Sequence, residues 1–393
     1  MRFADRIRRG TTAALALAFI VTLTMARPAQ AQTERVIYSF CSLTNCADGS
    51  QPLSNVIMDA QGNLYGTTSL GETDFKLEPG GTLTVLYTYC PIGGKTCTDG
   101  SHSGLVRDSA GNLYGTTDRG GVNNFGTVFQ LSSDGTLTTL YTFHGNTDGL
   151  NPDAGLLRDS AGNLYGTTLY GGKYYGGTIY RVDPAGKKNI MHSFGATPTD
   201  GANPGAVVPV MDRLGNLYGT TQAGGTHGDG TVFEITAGGA ESVLYNFGDT
   251  TNDGINPLVG LAIDSEGNLY GTTTSGGTYN EGTVFRVTHN GTETVIHNFQ
   301  NNGTDGYNSY APVVLDASGN LYGVTNSGGR HGFGTVFEVD ASGVETILHA
   351  FANNGTDGLN PVGGLLLDSA GNLYGTTQYG GAHKAGTVFE VVP

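Results

Sequence analysis

Charge is scarce in this sequence, and helical patterning is missing. Only 13% of the 393 residues are charged, and 19 Lys and Arg face 34 Asp and Glu. That balance repels phosphate backbones, and no Lys/Arg stripe offsets it locally, so nucleic acid is excluded as a partner. Pro numbers only 13 and Gly does not recur at every third position, which excludes collagen. No long stretch carries helical periodicity, which excludes a helical solenoid. Disorder is excluded as well, since 37% of residues are hydrophobic and recur in short β-branched and aromatic runs. What abounds is glycine. Its 65 copies are more than twice the usual share of roughly 7%.

The first 31 residues read as a signal peptide rather than as part of the fold. Arg2, Arg6, Arg8 and Arg9 form a basic start, Ala13 to Met25 is apolar but short for a membrane span, and Ala29-Gln30-Ala31 is a small-x-small cleavage site. The expected organisation is therefore a signal peptide over 1–31 and a single domain over 32–393, periplasmic, extracellular or at the cell surface, with no stable membrane span after cleavage. Removing the leader takes five Arg and one Asp with it and moves the net charge from −15 to −19.

One heptapeptide dominates what remains. Gly-Asn-Leu-Tyr-Gly-Thr-Thr begins at Gly62, Gly111, Gly162, Gly215, Gly267 and Gly371, and Gly319 opens a copy with Val324 in place of the first Thr. A period near 50 belongs to propeller blades of four strands each. The first strand is an apolar run ending in Asp, such as Leu365-Leu366-Leu367-Asp368, and reads as innermost. The heptapeptide is the second, and Thr231 to Ile235 typifies the third. The fourth, such as Glu293 to Phe299, is the most polar and reads as the outer edge. Burial is expected to fall steadily from first to fourth.

Strand bookkeeping then closes the ring. The last repeat stops at Phe389-Glu390-Val391 without a fourth strand, while Glu34 to Phe40 carries the fourth-strand pattern at the other end. The expected fold is all-β: a seven-bladed propeller of four antiparallel strands per blade, closed by the N-terminal strand completing the last blade.

Gly-Asn-Leu-Tyr-Gly-Thr-Thr, then Gly-Gly, then Gly-Thr-Val-Phe resembles the GloVer tandem repeats of exported bacterial proteins, across essentially the whole chain after the leader. The resemblance implies an extracellular or cell-surface propeller-like protein and brings neither an activity nor catalytic residues. Kelch propellers also place Gly-Gly after the second strand, but they require a downstream Trp, and this chain has none.

Meander topology puts the longer loops, second-to-third and fourth-to-next-first, on one face. Binding groups favour such loops over a rigid scaffold. The Gly-Gly loops present Asn123, Tyr174, His227, Tyr279, His331 and His383 at matching places, a candidate ligand-binding ring or simply loop filling around glycines. His227, His331 and His383 lie on different blades, too far apart to share a zinc ion. The Asp-Gly loops at Asp48, Asp99, Asp148, Asp200, Asp253, Asp305 and Asp357 read as turns, so no cofactor is expected, with Ca²⁺ as the alternative that their acidity leaves open. The seven heptapeptide Tyr read as architecture, each ring packing over a backbone Gly of the neighbouring blade and each hydroxyl finding a local partner. Export makes disulfides the default, and loop topology pairs Cys41 with Cys46 and Cys90 with Cys97.

Every prominent residue is repeated, which favours a non-catalytic binding or interaction scaffold for a carbohydrate, peptide or protein ligand on the long-loop face. The alternative is a secreted propeller enzyme acting on polysaccharide through unrepeated groups such as His102, His144, Lys173, Arg181 or Arg330 near the central opening.

Overall fold

Each heptapeptide becomes the second strand of a four-stranded antiparallel sheet, and its inner glycine decides what packs there. Gly66 pairs with Phe75 of the third strand, and a Cβ on Gly66 would lie 2.7 Å from that ring. The same Gly–Phe pairing recurs at Gly115–Phe129, Gly219–Phe233, Gly271–Phe285, Gly323–Phe337 and Gly375–Phe389, with Tyr180 replacing Phe opposite Gly166. The glycine is thus covered by an aromatic ring of its own blade, not by the tyrosine of a neighbour.

The computed structural model describes residues 33–89, 104–205 and 207–393. Its strands form seven four-stranded blades, a seven-bladed β-propeller in which the first six blades run first to fourth strand in chain order. Blades are numbered here by their heptapeptides, from Tyr65 in blade 1 to Tyr374 in blade 7. Blade 7 is completed from the other end of the chain. Thr33–Ser39 pairs antiparallel with Thr387–Val392, and Arg35 reaches Glu390 at 2.8 Å across that pairing.

Burial peaks in the middle of each blade, which differs from a steady outward decline. The second and third strands are almost wholly buried, whereas the paired residues of the innermost strands, such as Val106–Arg107 and Val210–Met211, are half-buried. Only two residues of each innermost run pair with the second strand, and among the described residues no further strand of the blade lies on their axial side. Buried apolar clusters fill the spaces between consecutive blades instead. Leu261, Leu269 and Phe285 of blade 5, for example, pack against Tyr218, Val232 and Phe247 of blade 4.

The rest of the heptapeptide is accounted for by hydrogen bonds. Asp59 Oδ1 accepts the Gln61 and Asn63 backbone N–H groups, and its Oδ2 accepts Asn63 Nδ2 and the Tyr65 hydroxyl. Burial works against the Asp59 charge, but these donors outweigh it and hold the carboxyl at about 2. Equivalent Asp–Asn–Tyr networks recur in the other blades, as at Asp212 and Asp264. The second Thr bonds a third-strand Thr inside each blade, as Thr221 does Thr231 at 2.8 Å. The first Thr reaches into the next blade: Thr116 donates to the Ala154 carbonyl, Thr220 to Val259 and Thr376 to Ser54. Val324 cannot make that bond. These inter-blade bonds fix the loops that surround the axis.

Candidate functional site

The connections from each fourth strand into the next blade converge on a cavity of about 510 Å³. Leu53, Asp153, Gly205, Leu258, Tyr310 and Val362 occupy one equivalent position in six blades and all line it, with Gly104 contributed by blade 2. A deeper tier is glycine-rich because chains crowd there. A Cβ on Gly363 would lie 2.5 Å from the Ser54 carbonyl oxygen, and one on Gly155 would lie 3.1 Å from that of Gly104. The walls are thus largely apolar, with a few polar groups such as Asn55 and Gln222.

One feature of the cavity breaks the repeat. Asp118 follows the heptapeptide of blade 2, where the other blades carry Ser69, Leu169, Gln222, Thr274, Asn326 and Gln378. Asp153 comes from the next blade's loop, at a position that is acidic nowhere else. Both line the cavity. Burial pushes the Asp153 carboxyl up to about 6, the Asp118 charge adds to the shift, and Arg119, 3.6 Å from Asp118, offsets part of it. This is the unrepeated acidic pair that sequence inspection did not single out. The detectable signal was an Asp at two positions where every other blade is uncharged.

The six loop residues expected to form a ligand ring lie elsewhere on the long-loop side. Asn123, Tyr174, His227, Tyr279, His331 and His383 are all exposed, each one residue before a left-handed position, and none lines the cavity. Their loops are tied to the ends of fourth strands: Thr226 and Thr278 N–H bond Asn246 and Asn298, and Ala382 N–H bonds Ser39. Asn123 donates to His144 at 2.8 Å, His227 lies 3.4 Å from Asp249, and Arg330 donates to His331 at 3.0 Å. Among the unrepeated groups expected near the central opening, His144, Lys173, Arg181 and Arg330 do not line the cavity either, and His102 lies outside the described residues.

The Asp-Gly loops are built as turns. Asp253 accepts the Gly248 and Asp249 N–H groups, Asp305 that of Gln300 and Asp357 that of Ala352. Their carboxylates thereby fold back on their own loops. Asp99 lies outside the described residues. Cys41 and Cys46 are disulfide-bonded, while the expected Cys90–Cys97 pair lies outside the described residues. No described helix is long and apolar enough to cross a membrane.

Among solved structures, a streptogramin B lyase shares the fold at 14% identity and a TM-score of 0.63, covering 92% of this chain and 97% of that one. Virginiamycin B lyase from Staphylococcus aureus follows at 14% and 0.62, covering 92% and 99%. An extracellular domain from B. thetaiotaomicron matches at 14% and 0.59, covering 91% of this chain and 39% of that one. At such identities the likeness is one of fold. No curated protein matches the sequence. The model of the Gloeobacter/Verrucomicrobia repeat matches residues 73–262 and 211–393, and the chain belongs to that repeat family.

Proposed function

We propose that this protein is an exported, non-catalytic binding scaffold that takes its ligand in the central cavity, on the long-loop face. The observation that carries the reading is the one acidic pair among the described lining residues, Asp118 and Asp153, in an otherwise largely apolar cavity built from all seven blades. A cavity of about 510 Å³ suits a small amphipathic ligand or the end of a peptide. Apolar walls disfavour a free sugar, whose hydroxyls would lose their partners on entry. The two carboxyls favour a ligand that presents a cationic or N–H donor group. The basic-start leader and the Cys41–Cys46 disulfide support export to an oxidising compartment.

Peptide and glycan arrays probed with the secreted protein test this directly. Peptides with a basic residue or free amino terminus beside an apolar one should bind, and Asp118→Asn/Asp153→Asn should lose at least tenfold in affinity. Selective glycan binding that survives both substitutions would refute the reading.

A second reading, a secreted enzyme acting on polysaccharide, is favoured by one observation. Burial holds Asp153 near 6 beside the Asp118 carboxyl, and a carboxyl raised toward neutrality can serve as a general acid. Turnover of plant or bacterial polysaccharides, abolished by Asp153→Asn, would establish it in place of the scaffold.

A further inference from the structure

Away from the cavity, a three-residue contact recurs at the seams between blades. It joins a Tyr or His near the end of one fourth strand, the Asp of the loop that follows, and the first or second residue of the next blade's fourth strand. At the seam after blade 2 these are Tyr141, Asp148 and Lys188, and Lys188 Nζ meets Asp148 Oδ1 at 2.9 Å. Three seams have different chemistry. They hold His192, Asp200 and Glu241; His297, Asp305 and Glu345; and His349, Asp357 and Glu34, with one ligand atom from each residue within 4.8 Å of the others in its set.

The substitutions are correlated around the ring. His appears only where the third residue is Glu, and the Tyr seams carry Leu83, Leu137, Lys188 or Glu293 there. A Glu facing the loop Asp sets two carboxylates together where blade 3 supplies a lysine cation. Their bonding capacity is also left open. Asp200 and Asp305 are each 7% exposed, yet an oxygen of each is buried without a hydrogen-bond partner, as are oxygens of Glu241 and Glu345 and the Nε2 of His297. Around His297 Nε2 the carboxylate oxygens of Asp305 and Glu345 stand at 3.5 and 3.6 Å. Ligands bound at about 2.1 Å in a tetrahedron stand about 3.4 Å apart. The spacing is close to the edge of such a tetrahedron.

We propose that these three seams are divalent-metal sites of the zinc class, each formed by one imidazole and two carboxylates, with water completing the coordination. An imidazole with only two carboxylates suits zinc better than calcium, which takes six to eight oxygens. Because His and Asp come from one blade and Glu from the next, each ion joins the outer strands of neighbouring blades. Binding to the folded chain alone stabilises it through mass action.

The test is a Zn²⁺ titration of chelator-stripped full-length protein, read by bound-metal analysis and thermal melting, with Ca²⁺ as comparison. Three equivalents of zinc and a rise in melting temperature with Zn²⁺ but not Ca²⁺ are expected. His297→Ala should bind two equivalents. Should that variant fail to fold, Glu345→Lys copies the Lys188–Asp148 arrangement and should likewise lose one. Tyr245→His completes a fourth set with Asp253 and Glu293 and should bind four. A stoichiometry that none of these changes alters overturns the proposal. So does zinc binding that disappears only when the exposed His227, His331 and His383 are replaced.

Discussion

Lys188 Nζ crosses from blade 3 to Asp148 of the preceding loop at 2.9 Å, with its own side chain only 2% exposed. The ammonium also stands over the rings of Tyr141, Phe143 and Tyr180 at 4.7 to 5.4 Å. Burial pulls the lysine pKa down, and Asp148 resists that pull. A buried charge of this kind is costly once its partner is gone. Lys188→Met should therefore destabilise the protein by about 3 kcal/mol, and Asp148→Asn in the same background should add little. Urea unfolding of the two single variants and the double variant checks the coupling; additive losses would refute it.

Ring closure rests on the strand pairing rather than on its ion pair. Arg35 is 61% exposed on its side chain, so Arg35→Ala should cost no more than about 1 kcal/mol. Deleting residues 34–40 is different. It leaves the third strand of blade 7 without its partner and removes Phe40, which is fully buried against Phe75 of blade 1. Loss of a cooperative melt or aggregation is expected for the deletion alone. An unchanged melting temperature would mean that the closing strand contributes nothing.

The blades and their closure were legible because each depends on local patterning. Seven heptapeptides mark seven second strands, and the pattern in Glu34 to Phe40 supplies the strand missing after Val391. The repeated tyrosines are architectural, as one copy per blade implies, and the local partner expected for each hydroxyl is the turn Asp of the same blade. Only the glycine differs from expectation, being covered by Phe or Tyr of the third strand. The cavity pair was hidden for another reason. Asp118 and Asp153 sit on different blades, and they come together only because inter-blade bonds such as Thr116 to Ala154 set those loops against each other. The His–Asp–Glu seams likewise depend on which fourth-strand residues face the next blade. A seam becomes visible in sequence only when His297 is compared with Glu345 rather than with its own repeat.

The two short cysteine loops should behave alike. Cys41 and Cys46 close a loop with a sequence separation of 5, and Cys90 with Cys97 would close another small one. Short loops restrict few unfolded conformations, so replacing both cysteines of either pair with Ser should cost no more than about 2 kcal/mol. Peptide mapping under non-reducing conditions should recover Cys90 linked to Cys97. A Cys41–Cys90 peptide would contradict this.

The cavity carboxyl gives a pH dependence of defined sign. Asp153 titrates near 6 in the folded chain and near 3.9 when unfolded. Between those values the folded state holds a proton that the unfolded state has released, so raising pH costs stability across that window. Below about pH 4 the wild-type protein and Asp153→Asn should be equally stable. Above about pH 6.5 the variant should be more stable, by on the order of 2 kcal/mol. Chemical denaturation at the two pH values measures the gap, and a gap that stays constant would mean that Asp153 keeps its ordinary pKa. Binding of a cationic ligand should move the other way, strengthening as pH rises through 6.

Tyr180 offers the simplest stabilising change. It occupies the third-strand position that is Phe75, Phe129, Phe233, Phe285, Phe337 and Phe389 in the other blades. The side chain is 0% exposed, and its hydroxyl is buried without a hydrogen-bond partner. Burial alone pushes its phenol pKa up. An unsatisfied buried hydroxyl costs about 1–3 kcal/mol, while the ring itself packs against Phe143 as its counterparts pack against theirs. Tyr180→Phe removes the polar atom and keeps the ring, so it should stabilise the protein by about 1 kcal/mol. The loss of cation–π contact with Lys188 should be minor, because the ring stays in place. A shift of the urea midpoint to higher denaturant at unchanged slope would bear this out. Destabilisation by a similar amount would instead show that the hydroxyl is bonded, most simply through a buried water shared with the backbone near Gly166.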